Sequence, residues 1–299
     1  MPDSIITQAR ANFHASLVSE SGPLCLLSEN GKLCMASNAD RSQATSREIS
    51  LAIAEELGAV GRKQKPSGQT MGSKFESAVH SFLAECLPHL DVIRPGPWKF
   101  LNVGGSRRSD QLAAYFPYRH LGDLAHEISN HPELLSVLGN LYAVSPDVLV
   151  VREALSDSAI NEFETVVDGH SALLTPLRAA NNTSESLPTP AFIHAVISCK
   201  WTMRSDRSQN TRAEALNLIR NRKGRTPHIV AVTAEPSLSR IASIALGTGD
   251  IDMTYHFALP ELERAVEIVG NDESQTLLKT LVEGDRLRDI SDLPLDLAV

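Results

Sequence analysis

Asp147, Lys200 and Glu214 are the residues of this 299-residue chain whose types could together break a phosphodiester bond. Such hydrolysis needs a cation to polarise the phosphoryl oxygens and to generate hydroxide near neutral pH, and hard ions such as Mg²⁺ bind through oxygen. Asp147 and Glu214 are suitable metal ligands, and a lysine beside them can orient the attacking water or neutralise developing charge. A second constellation, Arg204, Asp206 and Arg207, lies between Lys200 and Glu214. Arginine donates bidentately to guanine O6 and N7, and aspartate accepts from cytosine N4. Each good pair gives about 1–3 kcal/mol of discrimination, so two arginines and an aspartate suit a G·C-rich site on double-stranded DNA.

Taken singly, each residue has an ordinary structural role. Pro146-Asp147 is common turn chemistry ahead of a strand, and Thr211 and Glu214 have capping-box spacing. A strand-end lysine is usually solvated, and an Arg-Asp pair at a helix start is a surface salt bridge worth about 0–1 kcal/mol. Charge distribution favours the joint reading. The chain carries a net charge of -8, yet residues 200–225 hold eight basic and two acidic side chains, leaving that window at +6 and the remainder at -14. A local polyanion site on an otherwise repelling surface fits this asymmetry, as does a solvated helix face.

The chemistry requires elements that bring Asp147, Lys200 and Glu214 together. Asp147-Val148-Leu149-Val150-Val151 is an apolar run opened by Pro146, which a strand tolerates at its entry. Phe192 to Lys200 is predicted to alternate, with Ile193, Ala195, Ile197 and Cys199 on one face and Phe192, His194, Val196, Ser198 and Lys200 on the other. A helix over 208–222 follows, with Ala215, Leu218 and Ile219 as its inner stripe, Glu214 at the rim and Gly224 as its stop. Ile229 to Thr233 forms the next, buried strand, and strand, helix and strand in that order make a parallel crossover unit. Further helices are predicted over 45–58, opened by the Thr45-Ser46-Arg47-Glu48 capping box, and over 72–87, 237–246, 260–269 and 273–282.

Other motifs give less. The cysteines Cys25, Cys34, Cys86 and Cys199 form no C-x-x-C pair, which points to neither zinc nor a disulfide framework but to a reducing cytoplasm. No basic leader precedes an apolar run and no 18-residue apolar stretch occurs, so a soluble protein without a membrane partner is expected. His126-Glu127 with His131 lacks H-E-x-x-H spacing, Gly247-Thr248-Gly249-Asp250 does not follow a strand, and Gly104-Gly105-Ser106 lacks a nucleophile elbow's flanking glycine; all three are expected to be loops. The polar stretch over 179–186 is the nearest thing to a linker. The expectation is one α/β domain over 1–299, with its working core at about 140–255.

Pro146-Asp147, Ser198-x-Lys200 and Glu214 resemble the rearranged PD-(D/E)xK motif of the restriction endonucleases that cut sites with a CCGG core. The similarity runs through Lys200 to Gly224 and on to Glu235-Pro236, Arg240 and Gly247 to Asp252. It implies a restriction-endonuclease-like fold, a central mixed sheet flanked by helices. Asp147 and Glu214 would then bind Mg²⁺ and Lys200 would serve the water. Ser198 would stand where the commoner motif has its second acid, which Glu214 replaces, and Glu76 matches a further acidic residue of the family's site. Arg204, Asp206 and Arg207 match the readers of the CCGG core, Gln69 a minor-groove contact, and Asp40 and Arg240 the readers of an outer G·C pair, giving GCCGGC.

The same resemblance implies a homotetramer of two back-to-back dimers engaging two DNA sites, 5′-phosphate and 3′-hydroxyl products, and a cognate DNA methyltransferase in the same cell. A non-cleaving, sequence-specific DNA-binding protein on the same fold is the alternative.

Overall fold

The computed structural model describes residues 3–29, 32–103, 110–131, 133, 146–181, 191–203, 205–247 and 249–299. In chain order the main elements are α1 (Ile5–Val18), β1 (Leu26–Glu29), β2 (Lys32–Ala36), α2 (Ala44–Glu56), β3 (Gly61–Arg62), α3 (Gly68–Cys86), β4 (Trp98–Asn102), α4 (His120–Asn130), β5 (Val148–Glu153), β6 (Ala191–Lys200), α5 (Ser205–Asn221), β7 (His228–Thr233), α6 (Leu238–Ala245), β8 (Met253–His256), α7 (Leu259–Val269), α8 (Asp272–Glu283), β9 (Leu287–Asp289) and α9 (Leu293–Ala298).

The last six strands stand side by side in sequence order. β4, β5 and β6 pair antiparallel, whereas β6, β7, β8 and β9 pair parallel, so the sheet is mixed as expected. The crossover from β6 through α5 to parallel β7 is the predicted unit. A smaller sheet in the order β2–β1–β3 lies in the N-terminal part.

Both faces of the large sheet are covered. On one, Val148, Val150, Ala195, Ile197 and Cys199 pack with Phe75, Val79 and Phe82 of α3 and with Phe13 and Leu17 of α1. On the other, Leu149, Val151, Ile193 and Val196 pack with Ala215 and Leu218 of α5. Because β5 is buried on both sides, its sequence is a continuous apolar run rather than an alternation. α3 presents Met71, Phe75, Ala78, Val79, Phe82, Leu83 and Cys86 at helical spacing to the core, and the Ser67 hydroxyl caps its start by accepting the Thr70 N–H at 3.1 Å.

Several sequence expectations change. The two-face alternation of β6 is interrupted: Val150 pairs with Ala195 but Val151 pairs with Ile193, leaving His194 as an extra residue opposite β5. This bulge puts Ile193 on the face of Val196, not that of Ala195, while Ser198 and Lys200 still share a face. α2 starts at Ala44 without a side-chain cap, so the Thr45–Glu48 box does not open it. α3 starts four residues earlier than expected and takes Gln69 into its first turn. His126 and Glu127 lie inside α4 rather than in a loop. Gly247 and Gly249 do lie in a loop, and Gly247 leaves room for the Arg212 guanidinium. Residues 104–106 and 182–186 lie outside the described residues.

A buried ion cluster ties the N-terminal helix to the far end of the chain. Arg10 on α1 donates to Asp289 (Nε to Oδ2, 2.9 Å; Nη2 to Oδ1, 3.0 Å) and to Glu261 (Nη1 to Oε1, 3.1 Å; Nη2 to Oε2, 2.6 Å). Burial alone pushes both carboxyls up, but hydrogen bonds and charge from Arg10 more than offset it, and both end below their usual values. Arg10→Ala leaves buried Asp289 without its cation and Glu261 with only the half-exposed Arg264, 3.5 Å away, a loss of about 3–5 kcal/mol, which corresponds to a melting temperature lower by roughly 6–15 °C. Because the folded values of Glu261 and Asp289 are depressed, the contribution is complete above the ordinary carboxylate range and disappears as pH falls through the depressed values. Thermal melts of the two proteins should therefore converge in acid.

Candidate active site

Asp147 is held immediately before β5. Its N–H donates to Ile197 O (3.3 Å) and its carbonyl accepts from Val103 N–H (3.0 Å), so its backbone is fixed on both sides. Its Oδ2 accepts from Cys199 N–H at 2.7 Å and from Lys200 Nζ at 3.2 Å. The Asp147 carboxylate therefore faces the end of β6, across 53 residues of sequence from Lys200. Lys200 ends β6, and its carbonyl accepts from Ala234 N–H and from the Thr233 hydroxyl, both at 3.0 Å.

Glu76 reaches the same place from α3 and Glu214 from α5. These two helices lie against opposite faces of the sheet, so the site receives one acid from each face at the end where β5 begins and β6 stops. A cavity of about 490 Å³ collects Glu76, Asp147, Lys200 and Glu214 along its wall, with Gln69 at the α3 side and Asn210, one turn before Glu214, at the α5 side. α5 begins at Ser205, so Thr211 and Glu214 sit in mid-helix and the capping-box role does not apply. Ser198 sits one pleat before Lys200; its Oγ is buried and makes no hydrogen bond among the described residues.

The electrostatics of the cavity are those of crowded carboxyls around one ammonium. Burial, helped by repulsion from Asp147 and only partly offset by Lys200, pushes Glu76 up to about 7. Burial also pushes Glu214 up; Lys200 pulls it down and Asp147 raises it further. For Lys200, burial works against the charge, but Asp147 and Glu214 prevail and hold its pKa above the ordinary lysine value. The side chain is thus a protonated donor.

With its three carboxyls ionised the cavity carries -2. Asp147 Oδ1 and both carboxylates of Glu76 and Glu214 have no hydrogen-bond partner among the described residues. No three acidic, histidine or cysteine side chains converge closely enough among the described residues to enclose an ion by themselves. That donor set suits a hard divalent cation held by one or two carboxylates and completed by water and a phosphate oxygen.

The expected base-reading residues are placed unevenly. Asp206 and Arg207 fall in the first turn of α5, at the end nearest Lys200, with their side chains outside the described residues, as is the whole of Arg204. Asp40 and Arg240, 200 residues apart, form an ion pair. The two Ser42 hydrogen bonds, through its backbone N–H and its hydroxyl, together with the Arg240 charge, hold Asp40 below its usual value.

Sequence reasoning missed two contributors. Asn210 follows from helical spacing once α5 is known to start at Ser205, since positions four apart share a face. Glu235, fully buried beside Arg240 and pushed up to about 7 by burial, gave no signal beyond its place in the resembling stretch.

Comparison with known proteins adds an independent line. A family model described as NgoMIV restriction enzyme matches residues 13–299. The type II restriction enzyme NgoMIV of Neisseria gonorrhoeae is 45% identical over 295 residues, covering 99% of both chains.

Proposed function

We propose a specific reaction for this chain, which belongs to the NgoMIV restriction enzyme family and is accordingly a type II restriction enzyme, a site-specific deoxyribonuclease with the restriction-endonuclease-like fold. The reaction is Mg²⁺-dependent hydrolysis of double-stranded DNA at the palindrome GCCGGC, leaving 5′-phosphate and 3′-hydroxyl ends. The observation that carries it is the cavity in which Glu76, Asp147, Lys200 and Glu214 meet at the end of the sheet.

Asp147 and Glu214 would hold the cation, which when bound would supply neutralising charge at the scissile phosphate and acidify a water. Glu76, on the opposite face from Glu214, adds a third carboxyl, held at about 7 by burial, whose ionised form a bound cation would favour. Lys200 keeps its proton and donates, so its role is to orient water and stabilise the charge that builds on the phosphate rather than to accept a proton. Ser198, two residues before Lys200 on β6, stands where the commoner motif has its second acid, and Glu214 supplies that acid from α5 instead. Arg204, Asp206 and Arg207 read the CCGG core, the last two from the first turn of α5, Gln69 approaches the minor groove from α3, and Asp40 with Arg240 reads the outer pair.

We read residues 1–299 as one domain, because the largest apolar cluster joins elements from Ala9 on α1 to Leu297 on α9. Among the described residues no helix is long and apolar enough to cross a membrane, and the four cysteines are unpaired, which supports a reducing cytoplasm. The assembly is a homotetramer. Phe163, Val166, Leu173 and Leu174, between β5 and β6, are exposed apolar side chains that a second copy could cover. Light scattering should give four times the chain mass of 32.4 kDa, and the double variant Phe163→Ser/Leu174→Ser should give a smaller species. An unchanged mass would remove this face from the assembly. A cognate methyltransferase completes the restriction-modification pair.

Incubation of the purified protein with a GCCGGC plasmid in Mg²⁺ and in EDTA tests the reaction. Discrete fragments in Mg²⁺ alone are expected. A salt-sensitive gel shift with no cutting in either buffer would leave a DNA-binding protein without the proposed chemistry.

A further inference from the structure

Glu235 has the geometry of a junction. It lies two residues beyond β7 and is fully buried, an environment in which carboxylates are almost always paired. Its Oε2 accepts the Met203 N–H at 2.7 Å, immediately before the reading segment that opens α5. Its Oε1 accepts the Ser237 N–H at 3.1 Å, at the start of α6, the helix that carries Arg240. Oε2 also lies 3.7 Å from Arg240 Nη1, and Arg240 in turn pairs with Asp40.

The backbone around Glu235 extends the junction in two directions. The Glu235 N–H donates to Thr233 Oγ1 (3.1 Å), whose hydroxyl donates to the Lys200 carbonyl (3.0 Å). Asn38, two residues before Asp40, donates through Nδ2 to the Ala234 carbonyl at 2.7 Å. One buried carboxylate and its flanking backbone thus touch the end of the catalytic strand, Met203 two residues before α5, Arg240 of the outer pair and Asn38 two residues before Asp40.

We infer that Glu235 is a positioning residue for sequence discrimination: its carboxylate holds Arg240 and the Met203 backbone in one register, so that preference for the outer base pair depends on a group that touches no base. The inference rests on the GCCGGC reading. A carboxylate that merely stiffened the fold would, when weakened, slow cleavage at every site alike. A positioning carboxylate loses preference before it loses fold.

The test uses the full-length enzyme with duplexes containing GCCGGC or ACCGGT, comparing kcat/KM for wild type, Glu235→Gln and Arg240→Ala, with thermal melts of each. Glutamine keeps the shape and one acceptor oxygen but removes the charge facing Arg240 and one of the two hydrogen bonds from Met203 and Ser237 N–H. We expect wild type to prefer GCCGGC and Glu235→Gln to lower that preference by about 10-fold or more, the scale of one charge-assisted hydrogen bond. Adding Glu235→Gln to Arg240→Ala should then lower the preference little further, because the two share one pathway. If Glu235→Gln does not fold, Glu235→Asp, which keeps the charge and shortens the reach, carries the same comparison and the same expected loss. A folded variant that is slower on both duplexes with an unchanged ratio overturns the inference alone. A wild type without the preference overturns the GCCGGC reading and the inference with it.

Discussion

Asp147→Ala is expected to reduce cleavage by about 10³-fold or more, the scale on which a lost transition-state electrostatic contact acts, while specific binding to GCCGGC duplexes remains measurable. Asp147 contributes one of three carboxyls in a cavity where, among the described residues, Lys200 is the basic partner. Removing it takes away a cation ligand and touches no base. The alanine variant also removes the acceptor for Cys199 N–H, so Asp147→Asn is the cleaner companion, since its amide oxygen can keep that 2.7 Å bond while losing the charge. Both variants should lose cutting and retain a gel shift. An asparagine variant that cuts at wild-type rate would show that the charge of Asp147 does not hold the cation.

Arg207→Ala should do the reverse and abolish preference for the core site. A bidentate arginine–guanine pair is worth about 1–3 kcal/mol, and a palindrome presents it twice, so specific affinity should fall roughly 30-fold to 10⁴-fold while binding to unrelated DNA, carried by phosphate contacts, changes little. Competition binding with specific and nonspecific duplexes reads the difference directly. Equal loss of binding in folded Asp147→Ala and Arg207→Ala proteins would mean that metal placement and base reading are not divided between these residues.

The division itself was visible in the sequence because both groups fall within one short crossover unit. The apolar run after Pro146-Asp147 reads as a strand, and the structure places β5 there, buried on both faces. Lys200 at a strand end and Glu214 on the next helix are local relations, and local periodicity fixes them. The His194 bulge was not legible, since it exists only in the register against β5. β8 and β9 were missed because they are four and three residues long and carry mixed polarity, so pairing with a neighbour rather than their own pattern defines them.

The remaining site residues depend on long-range contacts. Glu76 joins Asp147 only because α3 packs on the sheet through Phe75 and Val79. Asp40 and Arg240 could be associated only by resemblance, and the structure brings them into an ion pair. Glu235 looks like a loop glutamate in the sequence; its burial and its hydrogen bonds to Met203 and Ser237 are what distinguish it.

The central claim is that carboxylates gathered around Lys200 cut DNA only where the residues at the start of α5 and the Asp40–Arg240 pair find their bases. Sequencing the ends produced from a duplex pool containing every NCCGGN context, digested in Mg²⁺ and in EDTA, addresses it most directly. We expect ends in Mg²⁺ alone, each with a 5′-phosphate and each mapping within GCCGGC. Ends spread over other outer pairs, or an equal yield in EDTA, would contradict it.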